Sequence, residues 1–299
     1  MGQRRKKSQL LFKAEYYVVL CIMKCMSITP RSFILSMGKV LGIIVYFIDR
    51  KHRLLIINNL KRVFQDKRED WYRSIARQNF CNFGMLSLEF SHISRLTKDT
   101  IKDILTFDGK EYIESALSQG KGVILLSAHT GNWELAAAGM SLLDLPFNAV
   151  VKRIKNPYVN HIITSQREYA GMKTILHGDG VKKIVKALKN NEIVCFLVDQ
   201  ASSKKNGIPV SFFGYPAWTH IGIIVLALKY NPPIIPAFAL REGIKHRLVF
   251  QKPFELIRTD TLKKDIEVNT LRMNKLIEGV VREYPSQWFW MHNRWKRRI

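Results

Sequence analysis

The chain has 299 residues, which is long enough for one large domain with a substantial core or for two smaller domains. Hydrophobic residues make up 47% and charged residues 24%, a globular composition that excludes an intrinsically disordered protein. The formal net charge of +24 is unusual and predicts a polyanionic partner: nucleic acid, an anionic membrane or an acidic carrier protein.

The first fifty residues combine basic charge with the most apolar runs of the chain. Residues 10–26 and 32–48 are expected to be helices, and Thr29 and Pro30 suit the start of the second. Both runs are shorter than the roughly 20 apolar residues that span a bilayer. We expect residues 1–50 to be membrane-anchor helices that span or lie on an anionic membrane; two core helices are the alternative.

Basic residues beside apolar helices suit a membrane surface better than a nucleic acid, and no nucleic-acid-binding module is recognisable in the sequence. We therefore predict an anionic membrane partner and no nucleic acid. The four cysteines have no C-x-x-C spacing and no paired histidine motif, so we expect neither a disulfide framework nor a metal site.

Residues 51–299 are predicted to form an α/β domain. Helices at residues 53–64 and 70–92 lead into an alternating pattern that begins at Gly109. The expected strands are residues 122–127, 147–151, 174–176, 193–198, 234–240 and 247–251. The expected helices are residues 111–119, 135–143, 157–169, 181–188, 217–230 and 262–283. Short β-rich runs separated by helices predict a mainly parallel sheet flanked by helices.

The sharpest motif is A-H-T-G-N-W-E at residues 128–134, directly after the first predicted strand. Ligands of open α/β sheets gather at the carboxyl ends of strands, so His129 lies where chemistry is usual. Glu134, in the first turn of the next helix, could point back and fix the tautomer of His129, which would then act as a general base. The alternative is an ordinary loop histidine, with Glu134 stabilising the helix dipole.

Competing chemistries lack their motifs. The sequence contains no G-x-S-x-G, no H-E-x-x-H and no G-x-x-x-x-G-K-[ST], which argues against a serine hydrolase, a zinc protease and a P-loop nucleotide site. We expect a reaction that needs no metal and no cofactor.

The block S-A-H-T-G-N-W-E-L-A-A-A-G resembles the H-x-x-x-x-[DE] block of the glycerolipid acyltransferase superfamily, and in particular the bacterial late acyltransferases of lipid A biosynthesis (lauroyl/myristoyl type). Four further blocks carry the resemblance: V-V-K-R-I-K-N-P-Y-V-N-H-I-I-T-S-Q-R, F-L-V-D-Q, V-S-F-F-G-Y-P-A-W-T-H-I-G and P-S-Q-W-F-W-M-H-N-R-W-K-R-R. Val198 and Ser211 stand where this family commonly has proline. Both positions lie outside the His129–Glu134 pair, so the substitutions concern the shape of the loops and not the predicted catalytic residues. The similarity extends from residue 58 to the terminus.

The resemblance implies acyl transfer from an acyl carrier protein thioester to a hydroxyl of a lipid A precursor, at the cytoplasmic face of the cell inner membrane. Two alternatives stay open. One is an acyl-CoA-dependent acyltransferase that acts on glycerol phosphate or a glycosylated phospholipid. The other is a non-catalytic basic protein that binds membranes or nucleic acid.

The resemblance also suggests roles for individual residues. Candidate substrate-binding residues are Asn132, Arg153, Asn156, Arg167, Asp199 and Gln200. Within this set, Asp199 and Gln200 could support the site or bind the sugar. Arg153 or the backbone at residues 131–132 could stabilise an oxyanion, and Arg153 and Arg167 could instead bind the phosphates of the acceptor. Phe212 and Phe213 are candidates for the acyl tunnel. The tail is expected at the lipid interface or against the carrier protein; it mixes Trp288, Phe289, Trp290 and Trp295 with Arg294, Lys296, Arg297 and Arg298.

Overall fold

A computed structural model of the chain describes residues 2–176 and 180–296, with side chains described from residue 9 onward. Its strands are β1 (Leu105–Asp108), β2 (Val123–Ser127), β3 (Phe147–Val151), β4 (Lys173–Leu176), β5 (Ile193–Leu197), β6 (Gly207–Phe212), β7 (Tyr215–His220), β8 (Ile234–Glu242) and β9 (Lys245–Phe250). Its α-helices are α1 (Gly2–Ile28), α2 (Arg31–Ile48), α3 (Arg50–Val63), α4 (Glu69–Glu89), α5 (Lys98–Ile104), α6 (Lys110–Ser118), α7 (Trp133–Leu142), α8 (Pro157–Tyr169), α9 (Val181–Lys189), α10 (Gly222–Tyr230) and α11 (Leu262–Glu283). A 3₁₀ helix follows α4 at Phe90–Arg95.

The described residues form a seven-stranded sheet in the order β1-β9-β8-β2-β5-β3-β4. Every neighbouring pair is parallel except the β8–β9 hairpin. Strand β2 is buried along its whole length, as expected for a parallel strand covered on both faces. The predicted fold class, a mainly parallel sheet flanked by helices, is confirmed.

Helices cover both faces of this sheet and form two hydrophobic cores. Helices α3, α4, α9, α10 and α11 contribute to the core on one face. Helices α5, α6, α7 and α8 contribute to the core on the other. Because most strands are parallel, the loops that follow them lie together at the carboxyl-terminal end of the sheet, which we call the reactive edge.

The helix predicted over residues 217–230 is wrong in its first part. Residues 215–220 form β7, which pairs with β6 in an antiparallel hairpin, and α10 begins only at Gly222. Phe213 and Gly214 both have positive φ, 54° and 80°. Such angles at both central residues of a two-residue loop match the twist of paired strands. Strand β1 was not predicted either, because its four residues form a short edge strand.

The two amino-terminal helices contact the rest of the protein. Helix α1 packs on α8 and the 3₁₀ helix, and α2 packs along α4. By length and composition α2 could cross a membrane. The predicted boundary at residue 50 falls where α3 begins. The division into an anchor and an acyltransferase domain stays a prediction.

Candidate active site

The loop that carries His129 leaves the buried strand β2 and enters α7 within five residues. Asn132 caps the helix, since its Oδ1 accepts the N–H of Leu135 at 3.0 Å. Gly131 has a φ of 51°, and a Cβ there would lie 2.5 Å from the carbonyl oxygen of Ala239 in β8. Only glycine therefore fits this turn, which presses the loop onto the sheet.

The carboxy-terminal segment holds the loop from the other side. The Phe289 N–H donates to the carbonyl of His129 at 2.9 Å, and the Gly131 N–H donates to the carbonyl of Gln287 at 3.1 Å. The backbone of His129 is thus fixed between β2 and this segment. The Gly131 N–H already has an acceptor in the Gln287 carbonyl, and the role of the backbone at residues 131–132 as an oxyanion donor stays a prediction.

Asp199 is the carboxylate that contacts His129. Its Oδ1 lies 2.7 Å from His129 Nδ1, and its Oδ2 accepts the indole N–H of Trp288 at 2.7 Å. Burial alone would raise the pKa of Asp199, but the interactions with His129 and Trp288 outweigh it and lower the pKa below its usual value. An ionised carboxylate at Nδ1 holds the proton there and leaves Nε2 as the acceptor.

The prediction that Glu134 orients His129 is wrong. Glu134 instead pairs with Arg167 of α8, whose Nε and Nη2 lie 3.0 and 2.6 Å from the carboxylate oxygens. The register of the sheet explains why Asp199, and not Glu134, is the partner of His129. Strands β2 and β5 are parallel with Ser127 opposite Leu197, so His129 and Asp199 each lie two residues beyond a matched pair.

The Nε2 side of His129 is the reactive side of this arrangement. Gln200 Nε2 lies 3.5 Å from His129 Nε2, at the limit of a hydrogen bond. The rings of Trp133 and Phe289 stand 5.0 and 6.2 Å from the imidazole. The histidine side chain keeps 18% of its surface exposed. A hydroxyl group can therefore approach Nε2 between the two aromatic rings and Gln200.

An apolar cavity of about 70 Å³ adjoins the site. Ser127, Trp133, Glu134 and Arg167 line it near His129, and its other walls are mostly apolar, with Ala137, Met140, Phe147, Ala149, Met172 and Cys195 among them. Burial raises the pKa of Cys195 to about 12, so this side chain is a neutral thiol. Its lining residues come mainly from α7 and from strands β2, β3 and β5, so the cavity lies between α7 and the sheet.

Phe212 and Phe213 lie away from this cavity. Both are buried in the core on the opposite face of the sheet, where Phe212 packs against Trp288 and Trp295 at ring-centroid distances of 5.8 and 5.7 Å. They do not line this cavity, and their place in an acyl tunnel stays a prediction. The hairpin turn at residues 213–214 directs them into the core.

Two of the predicted substrate-binding residues are structural. Asn132 is buried, and its Nδ2 donates to Glu89 at 2.8 Å. Asn156 is also buried; it caps α8 and donates to the carbonyl of Phe12 and the carboxylate of Glu15, both at 2.9 Å. Their polar atoms therefore have protein partners, and their role in substrate binding stays a prediction. Arg153 is exposed in the loop after β3, and its role stays a prediction.

Glu89, at the end of α4, is a site residue that the sequence did not reveal. Its side chain is fully buried and contacts Asn132, Arg241, His246 and Arg31 at 2.8, 2.6, 3.1 and 2.8 Å. Burial alone would raise the pKa of Glu89, but His246 and the two arginines lower it strongly. One acid within an apolar helix gives no signal that it binds four partners. Glu89 fixes the amide that caps α7.

The aromatic tail is largely internal, which overturns its predicted interfacial position. Trp288, Trp290 and Arg294 are buried, and Arg294 donates to Trp218 O and Thr219 Oγ1 at 2.7 and 2.6 Å. Trp288 packs in the core, and its indole N–H donates to Asp199. The predicted basic residues Arg297 and Arg298 lie outside the described part of the chain.

Comparison with known proteins agrees with this geometry. Residues 2–297 match the family of bacterial lipid A biosynthesis acyltransferases. The lipid A biosynthesis lauroyltransferase of Escherichia coli K12 is 25% identical over 272 residues, 90% of this chain and 87% of that protein. A lipid A biosynthesis acyltransferase of Haemophilus influenzae is 25% identical over 255 residues, 84% of this chain and 78% of that protein.

A phosphatidylinositol mannoside acyltransferase of Mycobacterium tuberculosis is 24% identical over 191 residues, 62% of this chain and 58% of that protein. All three relatives are acyltransferases by name, and the family match covers nearly the whole chain. The protein therefore belongs to the bacterial lipid A biosynthesis acyltransferase family.

Proposed function

We propose that this enzyme transfers a fatty acyl group from an acyl carrier protein thioester to a hydroxyl of a lipid A precursor, with His129 as general base. The observation that carries the proposal is the His129–Asp199 contact of 2.7 Å at the carboxyl edge of the sheet, beside an apolar cavity. The pair supplies a base whose tautomer is fixed, and the cavity offers an apolar wall to an acyl chain.

The reaction needs no protein nucleophile. His129 Nε2 takes the proton of the acceptor hydroxyl while its oxygen attacks the thioester carbonyl carbon. The tetrahedral intermediate then collapses: its carbon–sulfur bond breaks, and the imidazolium returns the proton to the leaving thiolate. Asp199 stabilises the imidazolium between these two steps, because its buried charge lies against Nδ1.

Gln200 is the group best placed to contact the substrate beside His129. Its amide N–H₂ lies 3.5 Å from Nε2, where it can donate to the acceptor oxygen or to the developing oxyanion. Arg167 is held by Glu134 at the mouth of the cavity and adds a cation near the thioester position.

In this proposal, the loop after β3 binds the phosphate groups of the lipid acceptor. Lys152, Arg153 and Lys155 are all exposed there. This loop follows a strand whose carboxyl end belongs to the reactive edge of the sheet. A guanidinium fork binds phosphate oxygens in pairs, so Arg153 suits an acidic glycolipid acceptor.

The same chemistry favours the cytoplasmic face of the cell inner membrane as the place of action. A lipid acceptor is held in a bilayer, an acyl carrier protein is acidic and soluble, and a net charge of +24 attracts both.

A second acceptor class is favoured by one observation. The mycobacterial relatives are phosphatidylinositol mannoside acyltransferases by name. A glycosylated phospholipid also offers sugar hydroxyls beside a phosphate, and such an enzyme could use acyl-CoA as its donor.

The test is transfer of a labelled acyl group by the purified full-length protein in detergent. Acyl carrier protein and coenzyme A thioesters are each paired with a lipid A precursor and with a mannosylated phosphatidylinositol. We expect transfer from carrier protein to the lipid A precursor. Transfer only from coenzyme A to the phospholipid would replace both proposed substrates while keeping the reaction class.

A further inference from the structure

Helices α1 and α2 each carry a stripe of exposed apolar residues. On α2, Phe33, Val40, Ile44 and Phe47 recur at helical spacing, and Phe33 and Phe47 have 60% and 67% of their surface exposed. On α1 the corresponding exposed residues are Leu11, Val18, Ile22 and Cys25. We call these eight residues the apolar face. A contiguous exposed apolar patch on a soluble-sized domain marks an interaction site.

The opposite side of α2 is tightly packed against the catalytic domain. Added Cβ atoms at Gly38 and Gly42 would lie 2.6 and 2.4 Å from backbone atoms of α4, and one at Gly84 would lie 2.2 Å from the carbonyl of Gly38. Helix α4 in turn buries Ile75 and Phe80 in the main core. The catalytic domain therefore lies along the length of α2, with no room for lipid between them.

This packing determines how the helix can meet a membrane. Helix α2 has 18 residues, about 27 Å, which is close to the thickness of the hydrocarbon layer. If α2 crossed the bilayer, the exposed Lys39 at the middle of α2 would lie in the hydrocarbon, and the part of α4 that packs along α2 would enter with it. Exposed charges at that depth are strongly disfavoured.

We infer that α1 and α2 lie flat in the headgroup region of an anionic bilayer, with the apolar face downward and neither helix crossing. This deepens the membrane association that the proposed function requires. It also separates two possibilities that length and hydropathy leave open, a spanning anchor and an in-plane one.

Charge complementarity selects an anionic lipid surface as the partner. Lys39 borders the apolar face on α2, and Arg50 and Lys51 follow directly at the start of α3; all three are exposed. Cations beside an apolar stripe are the pattern of interfacial helices, in which basic side chains meet lipid phosphate.

The in-plane orientation also brings the reactive edge to the lipid. At the start of α2, Arg31 binds Glu89, which holds the loop of His129 through Asn132. On α1, the ring of Tyr16 lies 5.8 Å from that of Tyr158, just after the basic loop. Both helices therefore contact the domain at the edge where a lipid hydroxyl has to reach Nε2.

The first test measures vesicle binding without any substrate, so its outcome is independent of the proposed reaction. Full-length wild type and a V40Q/I44Q variant are floated with vesicles of phosphatidylethanolamine and phosphatidylglycerol. We expect the partition coefficient to fall about tenfold per substitution. The matched control is V181Q/L262Q, which places glutamine at exposed apolar positions of α9 and α11 and should bind like wild type.

Two results would overturn the inference in this assay. One is equal binding by V40Q/I44Q and wild type. The other is a variant that keeps vesicle binding but loses affinity for holo acyl carrier protein, which would make the apolar face a protein-docking surface. Circular dichroism of each variant checks that the helices remain folded.

The second test distinguishes an in-plane helix from a spanning one. Single cysteines are introduced by S32C and K51C in a C21S/C25S background, since Cys81 and Cys195 are buried. An impermeant maleimide is added to sealed inner-membrane vesicles of both orientations. In-plane helices predict that both positions react only in inside-out vesicles. Reaction of the two positions from opposite sides would show that α2 crosses.

Discussion

Replacing Asp199 by asparagine tests which of the two carboxylates near the catalytic loop, Asp199 or Glu134, supports His129. The contact of 2.7 Å between Oδ1 and Nδ1 puts the carboxylate and imidazolium charges about 4 Å apart. At an effective dielectric constant of about 20, their attraction is about 4 kcal/mol, which corresponds to a rate factor of about 10³. D199N keeps the shape of the side chain, so it removes this term with little change in packing.

The matched comparison is E134Q, because Glu134 is neutralised by Arg167 and does not contact the imidazole. We expect kcat to fall about 10³-fold in D199N and about tenfold in E134Q. Single-turnover acyl transfer, with thermal melting as the check on folding, measures both. A collapse of kcat in E134Q together with a nearly intact D199N would refute the assignment of Asp199 as the partner of His129.

Three further predictions concern stability, specificity and pH. E89A leaves Arg241 buried without its carboxylate, so the free energy of unfolding should fall by about 3–5 kcal/mol in chemical denaturation, and a change below 1 kcal/mol would contradict the buried network. A137L adds a side chain to the cavity of about 70 Å³, so competition among acyl carrier protein thioesters should shift toward shorter chains; an unchanged distribution would place the acyl chain elsewhere. Burial and nearby cations lower the pKa of His292 to about 4 in the folded protein. The unfolded chain, in which the pKa of this histidine is about 6.5, therefore binds a proton at a higher pH, so the free energy of unfolding falls as the pH drops from about 6.5 to 4. H292Q should flatten that part of a plot of melting temperature against pH, and an unchanged slope would contradict this account.

The sequence predicted the fold well where elements are long and regular. Residues 122–127 are a short, continuous apolar run and residues 262–283 have a clear helical periodicity, and both elements form as expected. The hairpin of β6 and β7 was missed, because its turn uses a phenylalanine at positive φ where asparagine or aspartate is the usual signal. Local patterns at residues 217–220 suit a helix equally well.

At the site, the sequence located His129 but chose the wrong partner for it. Glu134 is near in sequence, whereas Asp199 is near because β2 and β5 are neighbours in a defined register. Strand order is a long-range property that one sequence does not display. Long-range packing also decides the position of Trp288. The composition of its segment is typical of a lipid interface, but the residue is buried and donates its indole N–H to Asp199.

The central claim is that His129 takes the proton from the acceptor hydroxyl. Its most direct measurement is single-turnover acyl transfer by H129A beside wild type, with labelled acyl carrier protein thioester and a lipid A precursor in detergent. The account predicts active wild type and an H129A protein that is folded, binds both substrates and transfers at least about 10³-fold more slowly. Undiminished transfer by H129A would contradict it.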